Sequence, residues 1–399
     1  MRGATVDELA YALITPYSIF KSRTGGIVAR LIAHSRAKLV AVRMMVFSDE
    51  FLDAYVELLC PPGMDPAMAQ AWRNYVNENL RKDNPWGFLP RCMLLLFSGP
   101  DAVRHLKDDV IGSFTEEIAG DTIRGTYGDF IRDAEGRIRY FEPAVITAPS
   151  AQLNVEHLKL LGQHCDSDGG ILTGRCKYPP GSNVETCLVI LKPDNFEKPM
   201  RRPGSIIDVF SRTGLRIVGV KLLSMTVAQA EEFYAPLRKL FLTRLRPKLA
   251  QEIYAQLHSA FAFPITQHDA EKMADLLIDR HAETEFNRIV EYMTGLKPEE
   301  IQDPADKRSA SRTRCLAMLY EGPDAISRIR RQLGSTDPAQ AEPGSVRSEF
   351  GRDLMRNGAH ASDSAESAER ERKIIGMWAE TGPSDVKIAI DAYLQGLKG

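Results

Sequence analysis

Asn357-Gly358-Ala359-His360-Ala361-Ser362-Asp363-Ser364 places one histidine among small residues, just before a pattern that starts a helix. Ser362, Asp363 and Ser364 are all types that cap a helix N-terminus, and Glu366, Glu369 and Glu371 follow on the same run. Small neighbours leave the imidazole unwalled, and its neutral form near physiological pH makes it a possible nucleophile. Taken by itself, such a histidine is more often a surface residue in a helix-leading loop. Cations, hydrogen-bond donors and a partner carboxylate would have to stand around it before it could do group transfer.

The longer pattern changes that weighting. N-x-x-H-x-S-D-S followed by E-S-A-E-R-E resembles the active-site signature of the nucleoside diphosphate kinases. The resemblance implies ping-pong phosphoryl transfer, in which a nucleoside triphosphate phosphorylates His360 and a nucleoside diphosphate discharges it. It also implies companions in a set order. Lys192 resembles the lysine that contacts the transferring phosphate. Arg330 and Thr336 resemble the arginine and threonine that hold the nucleotide phosphates, and Arg347, in Pro343-Gly344-Ser345-Val346-Arg347, resembles the next phosphate arginine. Asn357 would bond the ribose or the phosphates. Tyr234, at the expected distance after Lys221, looks like the tyrosine beside the histidine, and Ser362 belongs to the same catalytic group. Glu371 looks like the carboxylate that orients the ring through its far nitrogen, leaving the other nitrogen's lone pair to attack. Magnesium is the implied ion, carried mainly by the phosphates and water rather than by a protein cage.

Two departures stand out. The glycine usual after the histidine is Ala361, which would be strained if that position needs positive φ. An insertion separates Tyr234 from the expected base-stacking aromatic, for which Phe286 is the nearest candidate and Phe241 the alternative. These departures leave two other readings: a nucleotide-binding scaffold with weak or lost turnover, or a phosphohistidine protein that passes its phosphate to another protein.

An internal repeat runs through the chain. Gly26 to Ile32 and Lys38 to Arg43 echo Ser205 to Phe210 and Arg216 to Lys221, Lys38 to Arg216 being an offset of 178. Cys92 to Ala102 echoes Cys315 to Ala325 at an offset of 223, and Thr122-Ile123-Arg124 against Ser345-Val346-Arg347 gives 223 again. The step from 178 to 223 places 45 extra residues in the second copy between Leu222 and Cys315. The first copy, beginning near Ala4, reads as catalytically empty: Thr15 stands in the place of Lys192, Phe114 near that of Thr336, and Glu142 to Ser150 holds no histidine. His157 lies on a later helix-like run, and Arg124 alone does not make a site. Its expected role is to supply, within one chain, the partner surface of a dimer.

Strand-like runs at Ala10–Ile14, Lys38–Phe47, Cys92–Phe97, Glu185–Leu191, Arg216–Leu223 and Cys315–Tyr320 alternate with helical ones at Gly26–Ala33, Ala102–Ile111, Pro203–Arg212, Val227–Phe241 and Ala325–Leu333. This order predicts an α+β protein of antiparallel sheets with helices on one face. The family resemblance implies a ferredoxin-like βαββαβ core in each of two domains, 1–180 and 181–399. The second would carry a helical insertion at about 242–285, with helical stripes at Leu249–Ala260 and Asp269–Arg280. Glu285–Met293 would resume the family helix, and Pro298–Ser311 reads as a polar loop. The region from Gln163 to Asn183 reads as linker; Gly169 to Gly174 has phosphate-loop spacing, but Arg175-Cys176 follows instead of Lys-Ser/Thr.

Composition bounds the rest. With 399 residues, 44% hydrophobic and 26% charged, the chain is long enough for two or three globular domains. A net charge of −2 speaks against general nucleic-acid binding and against a polybasic membrane surface. The longest apolar run, Cys92 to Phe97, is far too short to span a bilayer, and Met1 to Leu13 lacks a signal pattern. Six scattered cysteines include no C-x-x-C pair, and His164, Cys165 and Cys176 fit no zinc spacing. A cytoplasmic protein with reduced thiols is expected, acting on nucleoside tri- and diphosphates without nucleic acid or membrane, as an intrachain pseudo-dimer with possible further homo-oligomers.

Overall fold

The computed structural model describes residues 7–114 and 120–397. Ala4, the expected start of the first copy, lies outside the described residues. The chain clusters into two compact units, Met1–Leu222 with Leu316–Gly399, and Leu223–Cys315.

Ten strands are found among the described residues: β1 (Glu8–Ile14), β2 (Lys38–Met45), β3 (Cys92–Gly99), β4 (Asp129–Arg132), β5 (Ile138–Glu142), β6 (Val145–Ile146), β7 (Val184–Leu191), β8 (Arg216–Leu223), β9 (Cys315–Pro323) and β10 (Ala359–Ala361). They form two four-stranded sheets, β2-β3-β1-β6 and β8-β9-β7-β10, and a β4-β5 hairpin. Numbering each four-stranded sheet's strands from one, both sheets read 2-3-1-4, the ferredoxin-like order, so the repeat is a repeat of fold. β1 and β3 are apolar along nearly their whole length and pair antiparallel from Glu8↔Gly99 to Ile14↔Met93. Strands covered on both faces read as continuous apolar runs, and these do.

The helices used below are α1 (Thr24–His34), α2 (Ala151–His164), α3 (Arg202–Ser211), α4 (Val227–Tyr234), α5 (Pro236–Leu257), α6 (Gln267–Thr294), α7 (Ala325–Leu333), α8 (Ala365–Ile374) and α9 (Asp385–Gly396). In the first unit the copies meet where α1 crosses α3. A Cβ on Gly204 would lie 2.2 Å from the Gly25 carbonyl oxygen, and one on Gly25 would lie 2.5 Å from that of Gly204. Only glycine permits so close a backbone approach. The Gly26 N–H donates to Asp208 Oδ1 at 3.1 Å beside this crossing.

The supposed linker has structural work. Val46 N–H donates to Asp168 O (2.7 Å), Gly170 N–H to Met44 O (2.8 Å), and Leu172 N–H to Val218 O (2.7 Å). Residues 168–172 thus take up backbone groups on both outer strands, β2 and β8, which would otherwise be open edges. The chain's last helix, α9, packs on α2 and β2 of the first copy. Arg43 there donates Nη1 to Glu380 Oε1 at 2.9 Å, within a two-pronged ion pair.

The second unit, taken by itself, is helical and differs from expectation in three places. The helix expected over Val227–Phe241 breaks at Ala235, because Pro236 is best placed at the first turn of a new helix, α5. The stripe at Leu249–Ala260 overruns α5, which ends at Leu257, and Asp269–Arg280 falls within α6, which runs unbroken through Glu285–Met293. It starts at a Thr266–Asp269 capping box and ends at left-handed Gly295. The expected loop Pro298–Ser311 contains a short helix, Pro304–Ser309, capped by Asp303. α5 and α6 form an antiparallel hairpin carrying the ion pairs Arg238–Glu283 and Arg246–Asp275.

The six cysteines are buried and none is in a disulfide. Among the described residues no helix is long and apolar enough to cross a membrane.

Candidate active site

β7 ends at Leu191, and Lys192 is the next residue. The Lys192 N–H donates to Gly358 O at 3.1 Å, and Asn195 Nδ2 donates to the same oxygen at 2.8 Å. Gly358 has φ +84°, a left-handed turn that suits glycine and swings the chain back along β7. β10 then pairs antiparallel with β7, setting His360 opposite Ile190. Side chains alternate along a strand, so Ala359 and Ala361 point into the core while the ring of His360 stands on the other face, 21% exposed. Ala361 is absent from the positive-φ residues and pairs with Val189 as ordinary strand, so its methyl group brings no backbone strain.

α8 supplies the partner carboxylate. Ser364 caps it by accepting from Ser367 N–H at 3.1 Å, and Glu371 lies two turns in. Glu371 Oε2 is 3.0 Å from His360 Nε2 and accepts a 2.7 Å hydrogen bond from Ser362 Oγ. Glu371 is 4% exposed and Ser362 fully buried, so both hold the ring from its core side. With Nε2–H donating to the carboxylate, the imidazole lone pair sits on Nδ1.

Cations collect on the same side of the fold. Lys192 Nζ donates to Asn357 Oδ1 (2.7 Å) and to Met355 O (2.9 Å). Asn357, 1% exposed, is locked in turn by Nδ2 donating to Thr336 O (3.0 Å) and Leu354 O (3.1 Å). Arg347 lies in the first turn of a short helix, Val346–Phe350, capped by Ser345. It donates Nη1 to Gly334 O (3.1 Å) and Thr336 Oγ1 (3.3 Å), and Nη2 to Ala359 O (3.5 Å). Burial, and then the like charge of Arg330, push the Arg347 guanidinium down to about 10. Arg330 itself is exposed in the last turn of α7. Two guanidiniums held within reach of each other's field favour an anion between or beside them.

The structure therefore brings together eight expected residues: Lys192, Arg330, Thr336, Arg347, Asn357, His360, Ser362 and Glu371. Tyr234 and Phe286 belong to the second unit. Tyr234 ends α4, 8% exposed, its ring centroid 5.0 Å from that of Phe233. Phe286 needs correction: it is fully buried, and the Arg238 guanidinium lies 3.7 Å over its ring, so it is a core residue of the hairpin and offers no face to a base. Phe241, the alternative, is half-buried on α5.

Sequence reasoning passed over two side chains here and gave a third only a capping role. Asn195 ties Gly358 in place, and Asp194, nearly sealed, pairs with Arg202 at 2.9 Å. A signal existed, since both follow Lys192-Pro193 directly. Asp363 is the third: its bond from the Ser367 hydroxyl, aided by the charge of Arg330, holds its carboxyl below the usual range.

The donor set suits a polyanion rather than a bare metal ion. Among the described residues no group of three or more His, Cys, Asp or Glu side chains could hold a metal, and the side chains gathered here are chiefly cations and amides.

This geometry accords with the comparisons to known proteins. The family model for nucleoside diphosphate kinase matches residues 185–246 and 244–377, two segments that overlap inside α5. The nucleoside diphosphate kinase of Symbiobacterium thermophilum is 31% identical over 202 residues, which cover 50% of this chain and 91% of that one. That of Staphylothermus marinus is 30% identical over 193 residues, covering 48% and 93%. Among solved structures, the Aquifex aeolicus nucleoside diphosphate kinase is matched at 28% identity and a TM-score of 0.31, over 48% of this chain and 94% of that one. On the sequence matches, the chain belongs to the nucleoside diphosphate kinase family.

Proposed function

We propose that this chain transfers the γ-phosphoryl group of a nucleoside triphosphate to a nucleoside diphosphate through phospho-His360. The observation that carries the reading is the 3.0 Å contact of His360 Nε2 with Glu371, itself held by Ser362, on the strand that Lys192 and Asn357 tie down. The Nδ1 lone pair attacks the γ-phosphorus; a P–N bond forms, the bond to the bridging oxygen breaks, and the diphosphate leaves. The ring becomes cationic, and the Glu371 carboxylate at Nε2 stabilises that charge. Lys192, Arg330, Thr336 and Arg347 would bind the phosphates, and Asn357 would hold Lys192 and the loop in place. Tyr234 is kept as a candidate catalytic residue. Magnesium would be held by the nucleotide's own phosphates and would supply screening of their charge. Because Ala361 sits in relaxed strand, it gives no ground for lost turnover.

We read 1–180 as a non-catalytic copy and 181–399 as the catalytic one. The α1–α3 crossing and the 168–172 bridge support the further reading of an intrachain pseudo-dimer. Thiols outside any disulfide suit a reducing cytoplasm.

The test is incubation with γ-labelled ATP and magnesium. Acid-labile, base-stable label should form, vanish in His360→Ala, and discharge on adding a nucleoside diphosphate. Label that forms but resists discharge would move the reading to a protein phosphodonor, and no label would leave a nucleotide-binding scaffold.

A further inference from the structure

The α5–α6 hairpin carries more apolar surface than two helices can hide. In α5, Ala250 alone is fully buried; Leu240, Phe241, Leu245, Leu249, Ile253 and Leu257 are only half-buried. In the distal half of the hairpin Phe263 is 62% exposed and Leu276 83% exposed, with Phe261 and Leu277 beside them at 49% and 45%. The rings of Phe261 and Phe263 stack at 5.5 Å in the open. A helix whose apolar residues run round more than one face needs a second layer to cover them.

Charge says what kind of layer. α5 holds five cations, Arg238, Lys239, Arg244, Arg246 and Lys248, against the single anion Glu252. α6 has the opposite balance, seven carboxylates against Lys272, Arg280 and Arg288. Arg238–Glu283 and Arg246–Asp275 satisfy part of this within the hairpin. Lys239 and Arg244 on α5, and Glu271 and Asp279 on α6, remain exposed.

We propose that this hairpin docks on the hairpin of a second copy of the chain, α5 of each against α6 of the other, as a four-helix bundle. A twofold axis makes such a patch self-complementary: each basic helix meets an acidic one, twice over, around a shared apolar seam. The proposal stands independently of phosphoryl transfer.

Sedimentation velocity of the full chain, from about 0.5 to about 50 μM at low salt, should show a mass twice that of the chain, at the micromolar affinity usual for a modest interface. Leu276→Glu with Phe263→Asp changes two exposed side chains and should leave a monomer over the same range with unchanged circular dichroism. Ile131→Glu, 55% exposed on β4, should leave the dimer intact. Raising salt to about 0.5 M should weaken association about threefold or more, because screening falls on the charged rim. A chain that stays monomeric throughout overturns the proposal, as does a dimer indifferent to the hairpin substitutions or strengthened by salt. So does a monomer that binds phosphatidylglycerol vesicles through this face, which would assign it to a membrane.

Discussion

Thr15 in the first copy and Lys192 in the second occupy the same place on the same backbone. Each follows its copy's first strand, and each donates its N–H at 3.1 Å to the carbonyl of a residue at positive φ, Ala144 or Gly358. Each of those residues leads into the fourth strand, where Ile146 faces Leu13 and His360 faces Ile190. Ser150 and Ser364 then cap the following helices, and the seventh residue beyond the cap is His157 in one and Glu371 in the other. Arg124 and Arg347 also match, reaching Gly112 O and Val145 O in one case, Gly334 O and Ala359 O in the other. The difference lies in what surrounds them. Arg347 donates to the Thr336 hydroxyl, whereas the Arg124 guanidinium lies 4.0 Å over the Phe114 ring. Burial pushes Arg124 down to about 9. His157, where a carboxylate would be needed, is sealed between the Tyr11 hydroxyl (2.7 Å) and Leu58 O (3.2 Å). Phosphate chemistry depends on a handful of side chains that the βαββαβ backbone itself does not require.

The sharpest way to break this comparison is to remove the nucleophile. His360→Ala should cost about 10³-fold or more in kcat and abolish the acid-labile label, measured by a coupled assay and labelled ATP. The converse graft, Thr15→Lys with Ile146→His in a His360→Ala background, should produce no label, because Arg124 is committed to carbonyls and a ring and His157 cannot stabilise a cationic imidazole. Label on the first copy would show that the backbone alone suffices. Glu371→Gln should lower kcat by about 10- to 100-fold with KM within about threefold, since the lost charge acts on the phosphorylated ring rather than on substrate. Equal loss in KM would mean that Glu371 works by shaping the nucleotide pocket.

Stability should also separate the copies. Burial pushes His157 down to about 4 from an ordinary value near 6.5, so its folded form stays neutral while the unfolded chain takes up a proton. Its contribution is present above about pH 6.5 and is lost as pH falls toward 4. Tm should drop across that window, and His157→Asn should flatten the drop; an unchanged slope would assign the acid sensitivity elsewhere. The smallest effect is at the crossing of α1 and α3. Gly204→Ala forces a methyl group against Gly25 and should cost about 1–3 kcal/mol in denaturant melts. A neutral result would mean that the two copies slide apart without penalty.

Much of the candidate site was legible because it is local. From Arg330 to Glu371 its parts are neighbours in sequence, and the order of residue types alone marks them. Lys192 lies far upstream, and its place after a strand pointed to it. β10 was not legible: three residues give no period to read, and the partner β7 lies about 170 positions earlier. Phe286 misled because an aromatic residue on a helix reads alike whether it faces a ligand or a core, and burial is settled by what packs on it. The 168–172 segment read as linker for the same reason, since its bonds go from backbone to distant backbone.

By itself, the sequence determined the doubled fold, the positions of the long strands, and the residue types needed to handle a phosphoryl group, because hydrophobic period and side-chain chemistry are properties of neighbouring residues. Tertiary structure decided that Glu371 meets His360, that Ala361 lies in relaxed strand, that Phe286 is sealed beneath Arg238, and that a polar stretch closes two sheet edges. Those outcomes turn on distances between residues remote in the chain, and only the packed fold sets such distances.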